Sequence, residues 1–291
     1  MSLAICVYAF VLGAVTGSFL NVCIHRLPRG FLLHTPPSHC PFCNEPIRWH
    51  DNIPIVSYLA LGRRCRFCGV RISPRYALVE GLTGALFAYI AWRTACGRDA
   101  DYVRLGVYSA LAAALVAASF VDIEFRIIPD EISIPGAMLA PVVSVLFPSL
   151  HDLHDPVFVV PIAQLFGTGP TDSPQLCGLI GSVVGIVFGA GVIWALGVVG
   201  RALFRKEAMG FGDVKLMALV GGVLGWKLAL LGIVLASFLG AAVGVVVLAV
   251  TRQRRIPFGP YLSAGALLAA LHAGEAARFF DLLASVFRPT L

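Results

Sequence analysis

Apolar blocks of membrane-spanning length recur from one end of this chain to the other, and that recurrence limits the fold before any motif is read. They lie near Leu3–Ile24, Tyr76–Ala95, Arg104–Val121, Ile132–Phe147, Leu176–Val199, Val214–Trp226, Leu228–Val250 and Phe258–Ala273. The fourth and sixth are short for a hydrocarbon core of about 30 Å, which implies tilt, a break or shelter from neighbouring helices. Composition agrees. Only 13% of the residues are charged and 58% are hydrophobic, against about 25% charged in a soluble domain. The expected fold is all-α: a polytopic integral membrane protein of about eight transmembrane helices. Residues 1–6 contain no basic stretch and no small-residue cleavage site follows the first block, so it reads as a retained span.

The net charge of +6 invites a nucleic-acid partner, but the arginines fall mostly in the connections between blocks. Positive-inside topology explains them, so membrane lipid is the expected partner and nucleic acid is not. Arg26, Arg29, Arg48, Arg63, Arg64, Arg66, Arg71 and Arg75 crowd the first loop. Arg201, Arg205 and Lys206 precede the sixth block, and Arg252, Arg254 and Arg255 follow the seventh. Residues 148–175 hold no Lys or Arg at all. The basic loops are therefore expected in the cytoplasm, with both termini outside. Arg93, Arg98 and Arg104 run against this pattern and are partly offset by Asp99 and Asp101. The organisation expected is a first helix over 1–25, a cytoplasmic loop domain over 26–75, and a membrane core over 76–291.

That loop domain carries two Cys-x-x-Cys pairs, Cys40/Cys43 and Cys65/Cys68. Each pair presents two thiolates from one tight turn, and two such knuckles close a tetrahedral Zn²⁺ site of the zinc-ribbon kind. Pro41 and Gly69 suit the turns. A reducing cytoplasm disfavours structural disulfides, and a loop this small has little core, so metal would supply much of its folding energy. Four thiolates leave no open position, so the Zn²⁺ is structural. A redox dithiol is the competing reading. His39 and His50 are possible substitute ligands, while Cys6, Cys23, Cys96 and Cys177 show no pairing pattern and read as small apolar residues.

Carboxylates at bilayer depth are costly and mark function. Asp122 ends the third block and Asp213 begins the sixth, in "GFGDVK". Both fall at the cytoplasmic boundary of the topology above. Two carboxylates sharing a site cannot readily both ionise, which suits an aspartic protease: one activates water and the other donates to the carbonyl oxygen. From spacing alone Asp213 reads equally well as the N-cap of a helix starting at Val214. Asp130, in "IPDEIS", reads as a cap. Glu124 reads as a boundary residue or a partner of Arg126, and Lys215 as a partner of Asp213 or of lipid phosphate.

"GFGDVKLMALVGGVLGW" resembles the Gly-x-Gly-Asp motif of the type IV prepilin peptidases, which are leader peptidases and N-methyltransferases. "FVDIEFRIIPDEIS" resembles their second aspartate motif, and "GSFLNVCIHRLPRG", the double Cys-x-x-Cys, "RISPRYALVEGLTG" and "IPFGPYLSAGA" follow the family's order. The resemblance implies that Asp122 and Asp213 are the catalytic aspartates and that Cys40, Cys43, Cys65 and Cys68 bind zinc. It also implies cleavage of the leader of prepilins or pseudopilins after a Gly, at the cytoplasmic face of the bacterial inner membrane. Methylation of the new N-terminus from S-adenosylmethionine follows from the same resemblance, although no pocket for that donor is legible. Ala77 stands where the family has Pro, and the 149–175 loop is long. The competing reading from another class is a transporter with Asp122 and Asp213 as proton or cation sites; a third is a membrane scaffold whose zinc knuckle docks a partner.

Overall fold

A computed structural model describes residues 2–34, 37–97, 100–169, 171–204, 209–251 and 257–275, and these are helical apart from loops and two isolated β-bridges. The helices are α1 (Ser2–Arg26), α2 (Val56–Ala60), α3 (Pro74–Ala95), α4 (Tyr102–Phe125), α5 (Asp130–Leu146), α6 (Val159–Leu165), α7 (Pro174–Phe204), α8 (Phe211–Thr251) and α9 (Gly259–Leu271). Arg98, Asp99, Arg205, Lys206, Arg252, Arg254 and Arg255, which bear on the topology argument, lie outside the described residues. Among the described residues four helices, α1, α4, α7 and α8, are long and apolar enough to cross a membrane. Helices α5 and α9, with 17 and 13 residues, fall short of that length, and α3 carries Arg75, Glu80 and Arg93.

The chain divides into two compact units, Met1–Ile127 and Ile128–Leu291. In the first, α1 and α3 pack antiparallel. Asn21 Nδ2 donates to the Tyr76 carbonyl at 3.1 Å near one end, Gly17 lies against Glu80 and Gly13 against Thr83 further along, and Cys6 meets Cys96 at the other end. Ser73 caps α3, its hydroxyl accepting from Arg75 N–H at 3.3 Å with Pro74 in the first turn. Asp101 caps α4 in the same way, accepting from Arg104 N–H at 2.8 Å. Such caps satisfy backbone donors that have no partner inside the helix.

In the second unit α7 and α8 cross backbone to backbone. Gly181, Gly185 and Gly189 recur every fourth residue on α7, the small-residue spacing that lets helices in lipid approach closely. A Cβ on Gly185 would lie 2.0 Å from the Gly221 carbonyl oxygen, and Ser182 Oγ donates to the Gly222 carbonyl at 2.8 Å beside it. Gly185→Ala is therefore expected to cost about 3 kcal/mol or more, because backbone cannot yield as a side chain does. Gly191→Ala on the same helix meets nothing within 4 Å and should stay within about 0.5 kcal/mol. Thermal unfolding of the two variants in detergent checks the contrast.

Helix α8 runs for 41 residues, roughly 60 Å if straight and about twice the hydrocarbon core. It is interrupted at Gly225, with φ 78° and ψ 169°, a conformation essentially confined to glycine. The sequence boundary between the sixth and seventh blocks, expected at Trp226 to Leu228, is thus a single residue a little earlier. His151 fills the break: its Nδ1 lies 3.2 Å from where a Gly225 Cβ would stand, and its Nε2 bonds Ser144 Oγ at 2.8 Å. Burial holds the His151 imidazole down at about 4, so the ring packs as a neutral group. The cation-free 148–175 segment gains its cation from α8, since Lys227 Nζ reaches Asp152 at 2.9 Å while buried Asp155 accepts from Trp226 Nε1.

Candidate metal centre and catalytic carboxylates

The four loop cysteines converge. Their sulfurs all lie within 4.8 Å of one another, with Cys40 Sγ to Cys68 Sγ at 3.9 Å and Cys43 Sγ to Cys65 Sγ at 4.0 Å. A tetrahedral ion with bonds of about 2.3 Å sets its sulfurs about 3.8 Å apart, whereas a disulfide needs about 2.05 Å. The site therefore fits a four-thiolate zinc. Its two knuckles are the same local structure twice. Cys40 N–H donates to Glu45 O at 2.9 Å and Asn44 N–H to Cys40 O at 2.9 Å; Cys65 N–H donates to Val70 O at 2.8 Å and Gly69 N–H to Cys65 O at 3.0 Å. Asn44 and Gly69, at φ 61° and 68°, take the left-handed turn position in each. Bridges between His39 and Pro46 and between Arg64 and Arg71 close the knuckles in equivalent places.

N–H groups of Cys68 and Phe67 favour the thiolate of Cys65 and hold it at about 7, below the ordinary thiol range. Neither His39 nor His50 joins the cluster: His39 Nδ1 bonds the Pro37 carbonyl at 2.9 Å, and His50 lies 3.8 Å from Asp51. Asp51 is held by a bidentate pair from Arg66, at 2.8 and 2.6 Å.

Between the knuckles the chain passes through a tight turn at Ile55, with φ 62° and ψ −48° and Val56 N–H bonded to Pro54 O at 2.6 Å. A β-branched residue in this γ-turn geometry is strained, and such strain persists where surroundings enforce it. Here buried Glu80 of α3 enforces it, accepting from Ile55 N–H at 2.8 Å. The sequence reading did not single out Glu80, although a carboxylate inside an apolar block was the available signal. The same turn forms one rim of an open cavity of about 600 Å³ against α1. Phe19, Val22 and Ile53 give it an apolar wall, while Ser18, His34 and Asn52 offer polar side chains. Arg26 adds a cation to the lining, and the size is that of a nucleoside-sized ligand.

Asp122 sits in the last turn of α4 and is 7% exposed. The helix ends just beyond it, where Arg126 adopts φ 58° and donates its N–H to the Asp122 carbonyl at 2.9 Å. Glu124 does not pair with Arg126 but with Arg75 of α3. Arg29 lies over the Phe125 ring at 4.8 Å. Arginines that mark the topology in the sequence thus also clamp the end of α4 that bears Asp122.

Asp213 lies in the first turn of α8 and is 8% exposed. The helix starts three residues earlier than the spacing suggested, at Phe211, so Asp213 is the third helical residue and not the N-cap. Its Oδ2 reaches back to accept from Gly210 N–H at 3.2 Å, the half of a capping box normally made by Glu or Gln. Lys215 Nζ reaches both oxygens of Asp130, at 2.7 and 2.8 Å, a partner the sequence reading did not name. Asp130 is accordingly no cap. It opens α5 after Pro129, whose position carries no side-chain cap bond, and ties the start of α5 to the start of α8. Asp122 belongs to the first unit and Asp213 to the second.

Two peptidase family models match successive parts of the chain. Residues 11–94 match the bacterial peptidase A24 N-terminal domain, and residues 109–245 match the type IV leader peptidase family. A prepilin leader peptidase/N-methyltransferase of Stutzerimonas stutzeri is 34% identical over 297 residues, covering 92% of this chain and 91% of that protein. Its counterpart from Pseudomonas aeruginosa is 32% identical over 306 residues, covering 96% and 94%, and one from Myxococcus xanthus is 38% identical over 247 residues, covering 84% and 64%. No solved structure shows a significant match. An all-helical chain with several helices of membrane-crossing length and peptidase matches along most of its length is an integral membrane peptidase. It belongs to the type IV leader peptidase family. The transporter expectation loses its support, since both matched families are peptidases.

Proposed function

We propose that this enzyme cleaves the leader from prepilins or pseudopilins after a Gly and then methylates the exposed N-terminal amine. The carrying observation is the match to leader peptidase/N-methyltransferases along nearly the whole chain. Asp122 and Asp213 act as the two catalytic carboxylates. The charged one takes a proton from water as it attacks the scissile carbonyl, and the protonated one donates to the carbonyl oxygen. As the C–N bond breaks, a carboxyl returns a proton to the leaving amine. The two acids titrate as a pair. Their positions at helix ends, beside polar loops, support chemistry at a membrane face and not at mid-bilayer.

The eight-span arrangement, with α8 counted as two spans divided at Gly225, puts the arginine-rich loops and both aspartates on the cytoplasmic side of the inner membrane. The loop over 26–75 forms a separate zinc-stapled domain, and residues 76–291 form the peptidase core. S-adenosylmethionine, when bound, supplies an electrophilic methyl group. The cavity at Ser18, His34 and Asn52 would hold it, with the Ile55 turn and Glu80 fixing the rim.

Mass spectrometry of a prepilin peptide incubated with the enzyme in liposomes tests this reading. The expected products are the peptide cut after Gly and, only with S-adenosylmethionine, a species heavier by one methylene. An uncut peptide would defeat the peptidase assignment, and an unmethylated product the second activity. Glu80→Leu is expected to weaken donor binding by about tenfold, since a lost buried hydrogen bond costs about 1–3 kcal/mol. Equilibrium dialysis with labelled donor measures it, and undiminished binding would remove the cavity from consideration.

A further inference from the structure

The sequence offers no pairing pattern for Cys6 and Cys96, yet the antiparallel packing of α1 and α3 brings their sulfurs to 3.5 Å. This contact stands at the end of the helix pair opposite the four-cysteine loop. Cys6 precedes Arg26 by twenty residues of α1, a rise of about 30 Å, which equals the hydrocarbon core. Cys96 follows the last residue of α3 directly. The two groups of sulfurs in this unit therefore face opposite sides of any membrane that α1 crosses. One side of the inner membrane is reducing and the other oxidising.

We propose that Cys6 and Cys96 form a disulfide in the mature enzyme, stapling α1 to α3 at the outer face. The inference rests on the orientation proposed above, with the basic loop inside. The sulfurs need only close by about 1.5 Å, a movement available by side-chain rotation at two half-buried thiols. The oxidant is a protein disulfide of the outer compartment. A Cys thiolate attacks it to give a mixed disulfide, and the second Cys thiolate displaces the oxidant, which leaves as a dithiol carrying both protons. The Cys40–Cys68 cluster, in the reducing compartment, keeps its thiolates for metal. One helix pair thus carries two sulfur sites whose states are set by the side of the membrane each faces.

Enzyme purified from membranes under alkylating conditions is digested without reductant and mapped by mass. The expected result is one cross-linked peptide pair containing Cys6 and Cys96, lighter by about 2 Da than the summed thiol peptides. Its melting temperature should fall by several degrees with a reductant in the native enzyme, but not in the Cys6→Ser/Cys96→Ser double variant, which should still cleave substrate. Two alkylated, unlinked peptides would overturn the disulfide. Orientation is read separately in Cys6→Ser spheroplasts with a membrane-impermeant maleimide. Labelling of Cys96 from outside upholds the orientation whatever the state of the disulfide. Labelling only after permeabilisation defeats the orientation, and the staple with it, while leaving the proposed peptidase chemistry untouched.

Discussion

Asp122→Asn and Asp213→Asn, each alone, are expected to reduce prepilin cleavage at least about 10³-fold. Asparagine keeps the shape of the side chain and removes both its charge and its proton-transfer capacity. In Asp213→Asn the amide oxygen can still accept from Gly210 N–H, a bond of 3.2 Å in the wild type, so the start of α8 survives. In Asp122→Asn the helix end remains held by the Arg126 N–H bond to the 122 carbonyl and by Arg75 on Glu124. Melting temperatures should therefore move little while activity collapses. On the proposed mechanism the two carboxylates serve one water and one carbonyl, so the double variant should be scarcely worse than either single. Methylation of a peptide already cut should persist in all three. Cleavage above a tenth of wild type in either single variant would remove that residue from the catalytic pair.

Much of this architecture is legible in the sequence because lipid leaves a chain few options. Apolar blocks of this length must be helices. The paired Cys-x-x-Cys spacing carries its meaning locally, since each knuckle closes within six residues; Asn44, the left-handed counterpart of Gly69, is visible only once the two turns are compared. What stayed hidden depends on contacts distant in the chain. Lys215 pairs with Asp130 of another helix, Glu124 with Arg75, and Cys6 with Cys96. No spacing rule couples such positions, because helix packing brings them together. The sequence divides α8 at Trp226 to Leu228 but does not pick out Gly225, which sits among several glycines and is distinguished by its backbone conformation and its fit against His151.

Removal of zinc should have the second large effect, on the loop and not on the membrane helices. Residues between α1 and α3 bury few large side chains: Trp49, Phe42 and Leu59 are among those exposed. Apolar burial of that extent cannot offset the ordering entropy of so many residues. Structural zinc contributes about 10–16 kcal/mol in small metal-dependent folds, enough to account for the ordered knuckles. Cys40→Ser or Cys65→Ser should therefore take bound zinc from one ion per chain to none, measured by elemental analysis of the purified enzyme. Protease sensitivity should rise within the loop while α1, α3 and α4 stay protected, because their packing runs through Val79, Ile90 and Leu115 and not through the four loop cysteines. The Ile55 turn lies in the chain between the knuckles, and its bond to Glu80 of α3 needs that chain to stay ordered. Loss of zinc should then lower methyl-donor binding alongside loop order, and re-addition of zinc to chelated wild type should restore both. A four-cysteine variant that retained stoichiometric zinc would remove the metal centre altogether, and a zinc-free loop that stayed protease-resistant would show that the metal does not hold it.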